Sequence, residues 1–116
     1  MKENQEPAID QSLADEYAKW FKALADGTRI RIVSLLARQS APMKVGDIVK
    51  AVDISQSTVS HHLKILAQVG FLIAEPRATA VYYRINSACV TAFPTAADVI
   101  MARPPTTPAG GTTDAC

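Results

Sequence analysis

At 116 residues the chain has room for one domain with a modest core and not for two. With 48% apolar and 20% charged residues it reads as an ordinary soluble globular protein, no run nears the ~18 apolar residues of a membrane helix, and Met1-Lys2-Glu3-Asn4-Gln5-Glu6 is too polar for a signal peptide, so the expected place is the cytoplasm. The formal charge of +1 hides an asymmetry: Lys2 against Glu3, Glu6, Asp10, Asp15 and Glu16 leaves residues 1–16 at −4, whereas eleven Lys and Arg against Asp26, Asp47, Asp53, Glu75 and Asp98 leave residues 17–104 at +6, a basic body suited to a polyanionic partner.

Residues 1–10 are expected to be a flexible acidic leader. A first helix is predicted over Gln11–Ala25, because Leu13, Tyr17, Trp20, Phe21 and Leu24 follow i, i+4, i+7, i+8, i+11. That stripe serves either a core or a seam against a second subunit. Asp26-Gly27 interrupts it, and a second helix is predicted over Thr28–Arg38, with Ile30, Ile32, Val33, Leu35 and Leu36 giving a broad buried face. Ser40-Ala41-Pro42 breaks the chain and Met43-Lys44 reads as a short extended piece. Val45, Ile48, Val49 and Val52 then mark a short third helix, Asp53-Ile54 a turn, and Ser55 the N-cap of a fourth helix that ends near Gly70 as C′ residue.

The fourth helix carries the chemistry. Val59, Leu63 and Leu66 make an apolar stripe with His62 beside it. Ser57, Ser60, His61, Lys64 and Gln68 lie on the opposite side, where there is no carboxylate. Short hydroxyls, an imidazole, an amine and amides are groups that approach a phosphate backbone and hydrogen-bond base edges in a groove. This is expected to be a DNA-recognition helix, with Gln56, Ser57, Ser60 and His61 toward the bases, Thr58 among the DNA-binding residues, Lys64 on a phosphate, and His62 a packed histidine.

Phe71–Ala74 and Ala80–Ile85 are β-rich runs separated by Glu75-Pro76-Arg77-Ala78-Thr79, which makes a wing after a helix-turn-helix, with Arg77 as its phosphate or minor-groove candidate. A last helical stretch follows Asn86-Ser87. Pro94 should either distort it or start its main part as a first-turn residue, running to about Arg103. Residues 104–116 have the composition of a disordered tail. Of the two cysteines, Cys89 and Cys116, no CxxC or CxC arises, and a cytosolic location gives no reason to expect a disulfide. The expected fold class is mainly α with a small β-hairpin (α+β), a winged helix-turn-helix over residues 11–103. No nucleophile–base pairing and no Gly-rich phosphate loop supports an enzyme.

Phe21-Lys22-Ala23-Leu24-Ala25-Asp26-Gly27-Thr28-Arg29, Val45-Gly46-Asp47-Ile48, the word Ser55-Gln56-Ser57-Thr58-Val59-Ser60-His61-His62-Leu63 and Val81-Tyr82-Tyr83 occur in that order. Over residues 13–103 the chain thereby resembles the ArsR/SmtB family of bacterial winged-helix regulators. The resemblance implies a homodimer joined through the first and last helices, here through Leu13, Tyr17, Trp20, Leu24, Val99 and Ile100, binding a palindromic operator in double-stranded DNA. It also implies where effector metals would sit, and there this chain departs from the pattern. Pro42, Met43 and Lys44 stand where one class has a cysteine pair, and Ser87, Cys89, Ile100 and Arg103 stand at the last-helix positions of another. Arg and Ile do not ligate zinc. No cofactor is expected beyond a weak divalent-metal site with Cys89 and Asp98 as candidate ligands, nickel being the metal to test first. The rival function is a winged-helix protein-interaction module with vestigial DNA binding.

Overall fold

A computed structural model describes residues 8–102. The expected leader, apart from its last three residues, and the expected tail lie outside the described residues, as does Arg103. Five helices and three short strands follow one another as α1 (Gln11–Ala23), α2 (Gly27–Ala37), β1 (Met43–Lys44), α3 (Val45–Val52), α4 (Gln56–Gln68), β2 (Leu72–Arg77), β3 (Ala80–Ile85) and α5 (Ser87–Ile100).

Local chemistry sets most of these boundaries. The Asp10 carboxylate accepts from the Leu13 N–H at 2.8 Å and starts α1, and Asp26 does the same for α2 through Thr28 and Arg29. The second helix therefore begins one residue earlier than its apolar pattern indicates. Asp53 closes α3 in the left-handed region (φ 57°), and Gly70 (φ 98°) follows the C-cap Val69 of α4, as a glycine at C′ should.

The sheet is antiparallel in the order β1-β3-β2, with Met43 opposite Tyr83 and Leu72 opposite Ile85. Here the structure corrects the sequence reading. The connection between the wing strands is Ala78-Thr79 alone, because Glu75, Pro76 and Arg77 continue β2. Proline is tolerated there because β2 is an edge strand, where the missing N–H breaks no ladder. The last helix is corrected too. It is a single helix from the Asn86 N-cap to Ile100 with Pro94 inside, not one that begins at Pro94. Tertiary packing offsets the lost backbone hydrogen bond: Cys89, Ala92 and Ala96 on either side of Pro94 are buried.

The core joins one face of every long element. Ile32 and Leu36 of α2, Ile48 and Val52 of α3, Val59, Leu63 and Leu66 of α4, and Phe71 and Leu72 are all buried. At roughly 1.5–3 kcal/mol per fully buried large side chain, this packing holds α4 far more firmly than its own propensity does. Phe93 anchors α5 against α1 through ring contacts with Phe21 (4.9 Å) and Trp20 (6.4 Å), and against Phe71 ahead of β2 (5.4 Å).

Candidate nucleic-acid interface

The start of α4 is fixed by Ser55, whose Oγ accepts from the Thr58 N–H at 3.4 Å and donates to Thr58 Oγ1 at 2.9 Å. With Val59, His62, Leu63 and Leu66 buried, the opposite side faces outward. Gln56, Ser57, Thr58, His61, Lys64 and Gln68 are exposed and Ser60 is half-buried. The sequence-predicted residues of this helix therefore share one strip. Thr58 differs from the rest in that its Oγ1 accepts a hydrogen bond from Ser55, which leaves its own O–H free to donate.

A polar device that sequence reasoning missed locks the helix from behind. His62 is only 8% exposed, and its Nδ1 lies 3.1 Å from Arg29 Nη1. Arginine can only donate, so Nδ1 is the acceptor in this contact. Arg29 Nε donates in turn to the Ala23 carbonyl, tying the C-terminal end of α1 to the same guanidinium. Asp26 sets the first turn from which Arg29 projects, and the hydrogen bond from the Arg29 backbone N–H holds the Asp26 carboxyl below its ordinary 3.8. The chain Asp26–Arg29–His62 thus fixes how far α4 turns about its axis. Asp26 as an N-cap followed by Thr28-Arg29 was the available signal; the pairing across 33 residues was not visible.

The wing presents Arg77 as a separate element. Its Nη2 donates to Glu75 Oε1 at 3.1 Å, and the guanidinium lies 4.5 Å from the centroid of the Tyr82 ring. Arg84 takes the other Glu75 oxygen, and this hydrogen bond is the main reason the Glu75 carboxyl is held low. Arg77 is therefore held against its own strand pair beside the Ala78-Thr79 turn.

The residues assigned to a dimer seam are divided by the fold. Leu13 (37% exposed) and Ile100 (47%) present surface, Tyr17, Leu24 and Val99 are half-buried, and Trp20 at 6% fills the subunit's own core. Phe21, Val90 and Met101 add exposed apolar surface on α1, on α5 and at the end of α5. Both candidate metal ligands are buried, Cys89 at 2% and Asp98 at 8%, and no group of three or more His, Cys, Asp or Glu converges among the described residues.

Residues 26–74, from the Asp26 cap through α4 into β2, match the family described as bacterial regulatory protein, arsR family. The chain is 37% identical over 67 residues to the transcriptional repressor SdpR of Bacillus subtilis, covering 58% of this chain and 72% of that protein. The chain belongs to the arsR family. Within it, the chain is also 46% identical over 59 residues to the SmtB homolog of Synechocystis, described as a transcriptional repressor, although this match spans 51% of the chain and 42% of that relative. Among solved structures, the homodimeric winged helix-turn-helix DNA-binding domain Mb0332 of Mycobacterium bovis aligns with a TM-score of 0.60 at 33% identity, over 71% of this chain and 76% of that one. NolR of Sinorhizobium fredii aligns with a TM-score of 0.64 at 25% identity, over 86% of this chain and all of that one. The arsR-family fold thus extends past the matched segment into the wing and α5, and no helix among the described residues is long and apolar enough to cross a membrane.

Proposed function

We propose that this arsR-family chain is a sequence-specific transcriptional regulator that binds a palindromic operator in double-stranded DNA as a homodimer, in the cytoplasm and without catalysis. The observation that carries the reading is the exposed, carboxylate-free strip on α4, backed by the part-buried Arg29–His62 contact. In this reading Gln56, Ser57, Ser60 and His61 face base edges and Lys64 meets a phosphate. Thr58 contributes through the helix start, and Arg77 contributes less than its position indicates because Glu75 and Tyr82 already hold it. The repressor names of the Bacillus and Synechocystis relatives and the homodimeric Mycobacterium domain support the same assignment.

The seam would use the apolar surface at Leu13, Phe21, Val90 and Ile100. The usual metal signal has no ligand set to work through, since Pro42, Met43 and Lys44 precede α3 and Ile100 ends α5. Fluorescence anisotropy with the duplex upstream of the coding sequence tests the proposal. A specific complex tighter than random duplex by about a thousandfold or more is expected. Equal affinity for both duplexes would leave the protein-interaction reading in its place.

A further inference from the structure

Beside the Arg29 clamp, α1 and the C-terminal half of α4 enclose a groove of about 230 Å³ lined by Lys19, Lys22, Ala23, Arg29, Ile65 and Val69. Its floor is apolar and its rim is cationic. Among the described residues the Lys22 ammonium has no hydrogen-bond or ion-pair partner. Lys19 meets only Glu16, at 3.7 Å between two exposed side chains, a pairing that contributes little. Arg29 spends two of its five donors, one on Ala23 and one on His62. Asp26, the carboxylate that shapes this corner, is engaged by the Thr28 and Arg29 backbone.

We propose that this groove binds a small molecule with one carboxylate and an apolar body, the carboxylate between Lys22 and Arg29 and the body on Ala23, Ile65 and Val69. A dry cavity of about 150 Å³ accommodates benzene, so this volume suits an acyl chain of about eight carbons or a ring with a short arm. The apolar floor distinguishes the site from a plain phosphate contact, which would draw nothing from Ile65 and Val69. The ligand would share Arg29 with His62, so occupancy bears on the seating of α4. That regulatory consequence rests on the DNA-binding reading, whereas binding to the free protein does not.

Calorimetry on the full chain without DNA, using octanoate as probe, tests the site. One octanoate per chain with a dissociation constant below about 1 mM is expected, weakened at least about tenfold in Lys22→Glu and for the uncharged octanamide. Lys22→Ala, in the same direction but milder, covers the case in which the charge reversal disturbs folding, and circular dichroism checks both variants. No heat up to about 10 mM, unchanged affinity in both Lys22 variants, equal binding of octanamide, or inorganic phosphate binding as tightly as octanoate would each overturn the proposal. With bound octanoate established, an operator affinity that does not change would remove the link to α4.

Discussion

Lys64 and Gln56 share the exposed strip of α4, and in the proposed reading their chemistry gives them different roles. An ammonium on a flexible stem meets phosphate without reading sequence, so Lys64→Ala should weaken binding to every duplex alike and reduce the salt slope by about one. Gln56→Ala or Ser57→Ala should instead cost about 1–3 kcal/mol on the operator and little on random DNA. Paired anisotropy titrations over a salt series check both; a Lys64→Ala loss confined to the operator would reverse the assignment. At the wing tip Ala78 sits at φ 53°, where a Cβ is strained. Ala78→Gly is expected to raise stability by roughly 0.5–1 kcal/mol in urea unfolding, the relief of strain exceeding the added freedom of the unfolded chain. A lower midpoint would show that the turn carries no such strain.

Among the elements, α2 is the one whose start depends on ionisation. The hydrogen bond from the Arg29 backbone N–H, opposed by partial desolvation and helped by the Thr28 backbone N–H, leaves the folded-state pKa of Asp26 below its unfolded value. A carboxyl depressed in this way contributes stability fully above its ordinary value, and that contribution is lost as pH falls through the folded pKa. Glu75, lowered chiefly by Arg84, acts in the same direction. Unfolding midpoints should therefore hold level down to about pH 5 and decline toward about pH 2, and Asp26→Asn, which keeps a capping oxygen, should decline less. Parallel curves for the two proteins would remove Asp26 from the account.

For the whole molecule, the decisive surface is the one on α1 and α5 that the subunit leaves uncovered. Ile100 is 47% exposed, so Ile100→Glu should leave the subunit folded while opposing a symmetric seam. Light scattering at micromolar concentration should show a dimer for the parent chain and a monomer for the variant. The variant should also lose operator affinity, because two recognition helices about 34 Å apart no longer act together. A parent chain that scatters as a monomer would end the palindrome reading. Metal response is the second test at this scale. Zinc, cadmium and arsenite are expected to change operator affinity by less than about tenfold, ~1.4 kcal/mol of coupling, with nickel tried first for a weak effect. Submicromolar binding of one metal per subunit with loss of DNA binding would show a ligand set elsewhere in the chain.

Periodicity and capping residues were enough to read the first four helices, the helix-turn-helix, the burial of His62 and the outward strip of α4. These depend on neighbours within a turn or two, and side-chain spacing alone expresses them. The sequence by itself also carried the family, through four words in fixed order. What it could not express were choices made by distant partners. Pro76 belongs to a strand only because β2 lies at the sheet edge, and Pro94 stays inside a helix because buried neighbours hold α5 on both sides of it. Trp20 fills the subunit core because Phe93, 73 positions away, comes to meet it. The Arg29–His62 contact and the cationic groove beside it exist because α1, α2 and α4 meet at one corner. Tertiary structure decided these points, since burial energy summed over many contacts exceeds the local preference of any one residue.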